Sequence, residues 1–399
     1  MDFIIAGASF PCGVGELGRV ALQHGFTPTF IDHPHNAAST EAGLSPLRFE
    51  TSLPEDVALR SGVFLPLLES WVSEGRKLPE REGLRFDRRA ATLSRSKAAL
   101  SAILAVAGVS HVPRYRVWTI EEALLAASKC GYPAVLRSDT GYSGRGVWVS
   151  NSADDLRVSW TWQLKEREGT DFLEMRSVLD ANDDILIVEP WLPGDEWSID
   201  CVVGPSGNHL IRVCEKVTTI VSGRPFTLGY RITDSADLVD ELRQAVERWR
   251  RVIFHPGGVS FACFDIRRHS NGDLVPVDFG IRLGGDCIPA LVLRAGEGCN
   301  AYAAALDAAL AGDFRRMGSL RVGQSIVHAF AKEPGTFAGI NVLGYGEVIN
   351  SRQRGFVVTE AEGVSVFRRV GTVLRSFSTQ HEFCLACEDS SDWIQVLYC

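Results

Sequence analysis

Short apolar runs alternate with stretches of helical periodicity along the first part of the chain. Residues 3–6 form an apolar run typical of a buried strand, and a Gly-rich turn and a helical stretch follow it. Residues 29–32 predict a second strand that ends in an acid, and apolar residues recur at helical spacing over 64–72. This alternation predicts an α/β unit over about the first 85 residues.

The pattern continues in a second segment that opens near Arg88. Ser96 precedes apolar positions at 100, 103, 104 and 107, which predicts a helix with a capping residue at its start. Thr119 caps a second predicted helix over 121–128 in the same way. A buried strand over 132–137, a Gly- and Ser-containing loop over 139–145 and a returning strand over 146–149 are expected next.

Hairpin signals dominate the rest of the chain. A Gly-Pro-Ser-Gly-Asn turn at 204–208 separates two strand-like runs, and an Asn-Gly turn near 271 separates two more. An amphipathic helix is expected over 237–251. From about residue 319 the tail is expected to be β-rich, with strands near 325–331, 346–348, 364–367 and 371–374.

Length and charge limit the class of protein. A chain of 399 residues exceeds the ~250–300 residues that one core supports, so two or three domains are expected. A formal net charge of −8 argues against non-specific binding to nucleic acid or to an anionic membrane. No apolar run reaches the ~18–20 residues of a membrane helix, and the N-terminus resembles a strand rather than a signal peptide. These features predict a cytoplasmic protein with reduced cysteines.

One Gly-rich motif leaves an alternative open. Residues 13–18 match G-x-G-x-x-G, and Asp32 follows at the end of the next predicted strand, as in dinucleotide sites. Here, however, the segment over residues 8–12 lies between the first predicted strand and Gly13. The motif therefore favours a Gly-rich turn in an α/β domain, with NAD(P) or FAD binding as the alternative.

A more specific signal is an ordered series of phosphate-binding features. A nucleoside triphosphate needs cations for its phosphates, a donor-rich loop over them, a strand beside the adenine and ribose, and carboxylates for Mg²⁺. Lys97 begins a predicted helix and Arg137 ends a predicted strand. Ser143 and Gly144 lie in the Gly-rich loop that follows Arg137. Lys216, ahead of a polar segment, is a further candidate cation for phosphate or substrate.

Two aspartates complete the series. Asp265 and Asp278 lie on the two arms of the later predicted hairpin, each between apolar residues. A carboxylate in such surroundings needs a cation or several hydrogen-bond donors. Strand alternation puts both carboxylates on one face if the register allows it. The pair therefore predicts a divalent-metal site.

With these residues the chain resembles the ATP-grasp family, in particular carboxylate–amine ligases such as the L-amino acid (dipeptide) ligases and D-alanine–D-alanine ligase. The family's metal signature is an acid, about a dozen residues, and then E-x-N-x-R-x-G-G; here Asp265 is followed by Asp-Phe-Gly-Ile-Arg-Leu-Gly-Gly over 278–285. The resemblance implies an α/β ATP-grasp fold with a Rossmann-like pre-ATP-grasp domain over 1–87, ATP-clamping subdomains over 88–184 and 185–318, and a β-rich C-terminal segment over 319–399.

The resemblance also implies roles for individual residues. It implies that the chain binds Mg²⁺ and ATP and joins a small-molecule carboxylate to an amine, with no nucleic-acid or membrane partner, and it leaves a homodimer open. The implied positions are Lys97 and Arg137 for the phosphates, Ser143 and Gly144 in the covering loop, Glu189, Pro190, Trp191 and Leu192 in the adenine hinge, Glu196 for the ribose, Asp265 and Asp278 for the metal, and Arg282, Gly284 and Gly285, with Lys216, for the reacting groups.

Three departures from the family pattern bear on activity. The usual glutamate is Asp278, the usual asparagine is Gly280, and the usual lysine is Arg137. Asp278 has a shorter reach than glutamate, and Gly280 removes one metal-facing oxygen. Arg137 replaces the compact ammonium group of lysine with a planar guanidinium group. A nucleotide-binding protein without catalysis is therefore the alternative to a ligase.

Overall fold

The computed structural model describes residues 1–34, 47–50, 53, 62–78, 84–140, 146–168, 185–233, 235–296, 299–314, 320–354, 357–358 and 368–398. Ser143 and Gly144, and the strand expected over 364–367, lie outside these residues.

The N-terminal part is a five-stranded parallel sheet in the order β3-β2-β1-β4-β5. Burial of the strands β1 and β4 agrees with their continuous apolar sequence, which is typical of parallel strands covered on both faces. The elements are β1 (Asp2–Ala6), α1 (Val14–Gln23), β2 (Thr27–Asp32), β3 (Leu47–Phe49), β4 (Gly62–Pro66), α2 (Glu69–Lys77) and β5 (Leu84–Arg85).

The glycines of the G-x-G-x-x-G motif have packing reasons in this fold. Gly13 adopts a left-handed φ of 73° before α1, and a Cβ there would lie 2.3 Å from Nδ2 of Asn300. A Cβ on Gly18 would lie 2.5 Å from the Phe30 ring. The two glycines thus let α1 pack against β2 and against a helix of the later part of the chain.

A four-stranded antiparallel sheet in the order β6-β9-β7-β8 follows in sequence. Its apolar core is built with α5 and α6. Ser96 caps α4, and Thr119 forms a capping box with Glu122 at α5, as their sequence positions predicted. The elements are α3 (Arg88–Ser94), α4 (Lys97–Val106), β6 (Tyr115–Val117), α5 (Ile120–Cys130), β7 (Ala134–Ser138), β8 (Trp148–Ser150), α6 (Ala153–Glu168) and β9 (Leu186–Pro190).

The largest sheet has eight antiparallel strands in the order β14-β13-β10-β11-β12-β15-β19-β17. Val202 of β10 belongs to one apolar cluster and its neighbours Cys201 and Val203 to another, as strand alternation requires. The elements are β10 (Glu196–Gly204), β11 (Gly207–Val221), β12 (Arg224–Ile232), α7 (Ala236–Ile253), β13 (Ser260–Arg268), β14 (Leu274–Gly280), α8 (Ile288–Ala295), α9 (Ala301–Ala311), β15 (Gln324–Ala331), β16 (Gly335–Val342), β17 (Glu347–Ser351), β18 (Val357–Val358), β19 (Arg368–Ser376), α10 (Gln380–Glu388) and β20 (Ile394–Tyr398).

The C-terminal strands belong to two different sheets. Strands β15, β17 and β19 extend the eight-stranded sheet, whereas β16, β18 and β20 form a small sheet of their own. Helix α10, which the sequence pattern did not predict, contributes the buried Phe383 and Cys387 to an apolar cluster with β15 and β19. Within the described residues, no helix combines the length and apolarity needed to span a membrane.

Candidate active site

The two aspartates predicted to hold a metal lie opposite each other on neighbouring strands. Asp265 of β13 pairs with Asp278 of β14 in the antiparallel register, which brings their Cβ atoms to about 4.5–5.5 Å. The register shifts by one residue immediately beside this pair, so Val277 is the bulged residue. The side chains of Asp265 and Asp278 are 28% and 31% exposed, so both carboxylates are partly accessible to solvent beside largely buried cations.

Asp278 faces two cations from the preceding part of the chain. Its carboxylate oxygens lie 3.5 Å from Nζ of Lys97 and 3.6 Å from Nη2 of Arg137. Burial favours the neutral acid, but Lys97 and Arg137 outweigh it and lower the pKa of Asp278 to about 2. Burial also lowers the pKa of the Lys97 ammonium to about 8, against the opposing effect of Asp278. Asp278 is therefore an ionised carboxylate at neutral pH.

Asp265 is bound by a different cation. Nζ of Lys216, on β11, donates to Asp265 at 2.8 Å and to Glu196 at 2.5 Å. Burial opposes the charge on Lys216, but the carboxylates of Asp265 and Glu196 raise its pKa well above the usual value. Lys216 therefore carries a positive charge between the expected metal and ribose ligands.

The residues of the expected adenine hinge are fixed by an arginine and by main-chain contacts. Arg267 donates to Glu196 at 2.5 Å and to the carbonyl of Leu192 at 2.6 Å, and its guanidinium lies 4.3 Å from the Trp191 ring centroid. The amide of Trp191, which follows Pro190, donates to the carbonyl of Pro133 on the neighbouring segment. The hinge is thus connected to both sheets.

Arg114 has a buried side chain that sequence reasoning missed. Its side chain, 1% exposed, donates from Nε to Glu189 at 2.6 Å, from Nη1 to the carbonyl of Lys97 at 2.9 Å, and from Nη2 to the carbonyl of Val277 at 2.8 Å. Arg137 also donates to Glu189, at 3.3 Å. Arg114 therefore ties the start of α4, the hinge and the bulge beside Asp278 together. The sequence offered no signal for it except a charged residue directly after Pro113.

Asp139 is a second residue that sequence reasoning missed. Its carboxylate accepts from Oγ of Ser96 and from the amide of Ala98, each at 2.8 Å, and from Arg116 at 3.0 Å. An anion is favourable at a helix N-terminus, so Asp139 holds the first turn of α4 in place. This contact positions Lys97 relative to the loop that follows β7.

Arg282 connects the site to helix α2 beside the N-terminal sheet. Nε of Arg282 donates to Glu69 of α2 at 2.6 Å, and Arg95 donates to the same carboxylate at 3.0 Å. Burial would raise the pKa of Glu69, but Arg282 and Arg95 hold it below its usual value. Glu69 therefore restrains Arg282 as a permanent counter-ion.

The two glycines after Arg282 are in different environments. The amide of Gly284 donates to Oδ1 of Asp200 at 2.8 Å, and a Cβ there would lie 2.5 Å from Arg212. Nothing described lies within 4 Å of where a Cβ on Gly285 would be. Gly284 is therefore part of the framework, and Gly285 borders open space.

Asp200 and Arg212 form a buried ion pair beneath this loop. Nε and Nη2 of Arg212 donate to the two Asp200 oxygens at 2.8 and 3.1 Å, and both side chains are 0% exposed. The hydroxyl of Tyr302 donates to Asp200 at 3.2 Å. Removal of one partner would leave an uncompensated buried charge.

We therefore expect Asp200→Ala to lower the free energy of unfolding by about 3–5 kcal/mol. The matched control is Glu241→Ala, because Arg268 donates to both Glu241 oxygens at 2.6 and 2.8 Å but the pair is exposed. The free energy of unfolding of that variant should fall by at most about 1 kcal/mol. Urea denaturation of both variants measures the free energies of unfolding. Equal losses in the two variants would contradict the structural importance of the buried Asp200–Arg212 pair.

A second polar cluster lies beyond the glycines. Asp286 and Cys287 adopt left-handed φ angles of 56° and 65°, which non-glycine residues rarely do. Asp286 accepts from Tyr230 at 3.2 Å and from Arg369 at 2.7 Å, and Nη1 of Arg369 lies 3.5 Å from Nε2 of His328. These contacts connect the turn after Gly285 to the C-terminal strands.

His328 gives the C-terminal cluster a distinct acid sensitivity. Burial, with a smaller effect of Arg369, lowers the pKa of His328 from 6.5 to about 4. Its folded pKa is below its unfolded pKa, so this residue's contribution to stability is complete above pH 6.5 and is lost as pH falls toward 4. Over this pH range the contribution of His328 to the free energy of unfolding falls by about 3 kcal/mol.

We expect His328→Asn to lose less stability than the wild type between pH 7 and pH 4.5, because asparagine does not take up this proton in the unfolded state. Asparagine can keep the hydrogen bond that Nδ1 of His328 makes with Thr372. His381→Asn, at an exposed position of α10, is the control and should follow the wild-type profile. Parallel acid-unfolding profiles of wild type and His328→Asn would contradict this assignment.

The site residues together suit a divalent ion shared with phosphates. Hard carboxylate oxygens are the ligands that Mg²⁺ prefers, and it usually takes one or two of them and completes its shell with water and phosphate. The described residues contain no group of three or more His, Cys, Asp or Glu that could hold a metal ion. Gly280 faces Cys263 in register, and a Cβ on Gly280 would lie 3.2 Å from its sulfur. An asparagine at this position would crowd that thiol.

Comparisons with solved structures identify the fold. No protein-family model and no curated protein matches the chain. The L-amino acid ligase from Bacillus licheniformis superposes with a TM-score of 0.70 and 15% identity, over 100% of this chain and 98% of that chain. N5-carboxyaminoimidazole ribonucleotide synthetase from Thermotoga maritima superposes with a TM-score of 0.61 and 12% identity, over 100% of this chain and 99% of that chain.

A third similar structure holds a nucleotide. The biotin carboxylase domain of the Hydrogenobacter thermophilus 2-oxoglutarate carboxylase, solved with MgADP and bicarbonate, gives a TM-score of 0.60 and 13% identity, over 99% of this chain and 90% of that chain. These neighbours are ATP-grasp carboxylate–amine ligases and their relatives, and this chain has the ATP-grasp fold over its whole length. The fold expected from the sequence is confirmed.

Proposed function

We propose that this ATP-grasp chain is an ATP-dependent ligase that activates a carboxylate as an acyl phosphate and joins it to an amine. The products would be an amide, ADP and phosphate. The observation that carries the proposal is the opposed, partly exposed pair Asp265 and Asp278, with Lys97 and Arg137 beside Asp278. Two carboxylates next to buried cations match the needs of a triphosphate with its metal.

Charge balance supports a nucleotide at this site. The cations Lys97, Arg114, Arg137, Lys216 and Arg267 surround the carboxylates Glu189, Glu196, Asp265 and Asp278. Five positive charges against four negative ones leave one positive charge in excess. An anionic ligand therefore lowers the electrostatic cost of keeping these groups buried.

Asp265 and Asp278 would hold Mg²⁺, which in this position would neutralise phosphate charge. Lys97 and Arg137, which face Asp278 at 3.5 and 3.6 Å, would bind and orient the phosphates. Glu196 would accept from the ribose and the segment from Glu189 to Leu192 would border the adenine. The loop that contains Ser143 and Gly144 would cover the phosphates.

In the first step a substrate carboxylate oxygen attacks the γ-phosphorus of ATP. The bond between that phosphorus and the β,γ-bridging oxygen breaks, so ADP leaves and an acyl phosphate forms. Positioning and charge neutralisation supply most of the catalysis in such a transfer. Lys97, Arg137 and Lys216 are the cations of this chain that would balance the migrating charge.

In the second step the amine nitrogen attacks the acyl carbon. The carbon–oxygen bond to phosphate breaks, the amine loses a proton, and the amide is released with phosphate. Arg282 and the amide of Gly285 would stabilise the oxyanion of the tetrahedral intermediate. Gly284 would act indirectly, because its amide donates to Asp200 at 2.8 Å and so fixes the loop.

The similarity to an L-amino acid ligase supports an amino-acid carboxylate as the substrate. The test is ADP release measured over a panel of amino-acid pairs with MgATP. We expect one or a few pairs to stimulate ADP release well above the level without amino acids. Asp278→Asn, prepared in the same way, is the control for contaminating ATPases and should show no stimulation.

A nucleotide-binding protein without catalysis is the second candidate. Gly280 favours it, because this position adds no oxygen to the metal site and its Cβ space is limited by Cys263. Binding of a non-hydrolysable ATP analogue with Mg²⁺, combined with no turnover for any pair in the panel, would support this candidate. Turnover that depends on one pair would eliminate it.

A further inference from the structure

The turn between β11 and β12 reaches the smaller, four-stranded sheet. Both strands belong to the eight-stranded sheet, and the chain reverses between them at Ser222 and Gly223. The amide of Val149, in β8, donates to the carbonyl of Gly223 at 2.7 Å. Strand β8 lies at the end of the order β6-β9-β7-β8, so the turn joins the two sheets through the edge strand of the smaller one.

The close approach of this turn to β8 requires glycine. Ser222 and Gly223 have φ angles of 50° and 77°, which are the positive values of a tight two-residue hairpin turn. A Cβ on Gly223 would lie 3.2 Å from the carbonyl oxygen of Val149 and 3.8 Å from the Trp148 ring. A larger residue at this position would therefore push the turn and β8 apart.

A side-chain contact accompanies the backbone contact. The guanidinium of Arg224, the first residue of β12, lies 5.2 Å from the centroid of the Trp148 ring. Trp148 is buried and stacks on Trp162 of α6, with ring centroids 6.4 Å apart. A cation over a buried aromatic ring stabilises the contact between the two elements. The turn is thus held to the smaller sheet by backbone and side chain together.

Both partners in this contact lead to residues of the candidate site. Strand β8 pairs with β7, and the β7 residue Arg137 lies 3.6 Å from Asp278. On the other side, β11 carries Lys216, which donates to Asp265 at 2.8 Å. The turn therefore connects the sheet that holds one expected phosphate cation to the strand that holds another.

The smaller sheet also contacts the larger one at a second place. Arg114, directly before β6, donates to the carbonyl of Val277 in β14 at 2.8 Å. In the order β14-β13-β10-β11-β12, the two contacts thus fall on β14 and on the turn between β11 and β12. The strands between them carry Asp265, Glu196 and Lys216. The smaller sheet is therefore fixed on both sides of the candidate site.

We propose that the turn at Ser222 and Gly223 is a latch that holds the four-stranded sheet at the nucleotide site, and that its contact with β8 sets how fast a bound nucleotide leaves. Gly223 and Arg224 act through β8 and are positioning residues. The inference rests on the proposed function for the nucleotide, whereas the contact with β8 is independent of it.

The first test compares Gly223→Val with Gly344→Val. Gly344 also has a positive φ, of 84°, but nothing lies within 4 Å of where its Cβ would be, so the control has a similar backbone cost without the contact. The measurement is hydrogen exchange of the segment that contains β8, without ligand. We expect the Val149 amide to exchange about tenfold faster in Gly223→Val and at the wild-type rate in the control.

Arg224→Gln is a second variant, which leaves the backbone of the turn unchanged. Because it removes the cation from the Trp148 ring, we expect the β8 segment to exchange about two- to fivefold faster than in the wild type. Thermal unfolding checks that each variant is folded. Wild-type exchange of β8 in folded Gly223→Val and Arg224→Gln proteins would overturn the proposal.

The second test is the dissociation rate of a fluorescent, non-hydrolysable ATP analogue bound with Mg²⁺, measured by stopped-flow displacement. We expect dissociation to be about tenfold faster in Gly223→Val and unchanged in Gly344→Val. Equal dissociation rates in the wild type and Gly223→Val would overturn the latch and leave the ligase assignment intact. A wild-type protein that binds no analogue would overturn both.

Discussion

Replacing Asp278 with asparagine is expected to lower ATP turnover by about 100- to 1,000-fold. The amide has nearly the same shape as the carboxylate but carries no charge, so the expected metal site loses one of its two anionic ligands. Lys97 and Arg137 lie 3.5 and 3.6 Å from this carboxylate and would lose their shared counter-ion. Nucleotide binding should therefore respond less than turnover, because these cations remain available to the phosphates.

The measurement is the rate of ADP release at saturating substrate, with thermal unfolding as the check on folding. Asp273→Asn is the matched control, since Asp273 lies at the turn of the same hairpin and accepts from Ser110 and Asn271 on the surface. That variant should retain wild-type turnover. A folded Asp278→Asn protein with a wild-type rate would contradict the role of Asp278.

Arg282→Gln is expected to lower kcat by about 100-fold or more while the Kd for ATP changes by no more than about threefold. The guanidinium would contact charge that develops in the transition state, and the nucleotide contacts belong to other residues. Glu69 holds Arg282 through a 2.6 Å hydrogen bond, so Glu69→Gln should lower kcat through misplacement of the arginine.

A double-mutant cycle with Arg282→Gln and Glu69→Gln tests this coupling, because two residues that act as one unit give non-additive losses. Arg294→Gln is the control, since Arg294 is exposed and pairs with Glu347 on the surface. If the losses of kcat in the two single variants simply add in the double variant, Glu69 does not act through Arg282. An unchanged kcat in a folded Arg282→Gln protein would contradict a role for Arg282 in the reaction.

Local sequence signals predicted the elements that carry the site. Ser96 and Thr119 marked two helix starts, because side-chain capping depends on residues only three positions apart. The turn at 204–208 marked the β10–β11 hairpin for a similar reason. The spacing of Asp265 and Asp278 allowed them to be paired, but the bulge at Val277 that sets their register has no local sequence signature.

No helix was expected at α3, α6, α8, α9 or α10. Three of these, α6, α9 and α10, lack a clear amphipathic periodicity or are hidden by their surroundings. Helix α9 is rich in alanine and buried on most of its surface, so no polar face marks it. Helix α6 carries tryptophans among charged residues and shows almost no amphipathic pattern. Helix α10 interrupts a tail whose other apolar runs are strands, so the surrounding pattern obscured it.

The supporting residues of the site could not be predicted, because their partners are distant in sequence. Glu69 and Arg282 are separated by 213 positions, and Asp200 and Gly284 by 84. Arg114 binds three elements that meet only in the folded chain. Family resemblance indicated the residues that would contact ATP, and the tertiary structure adds those that hold them in position.

The pairing of Asp265 and Asp278 around one ion is the central claim, and a crystal structure with Mg²⁺ and a non-hydrolysable ATP analogue tests it most directly. We expect one ion bound by carboxylate oxygens of both residues at about 2.0–2.1 Å and by phosphate oxygens, with Lys97 and Arg137 at the phosphates. A nucleotide bound away from these residues, or an ion that neither carboxylate contacts, would contradict the account.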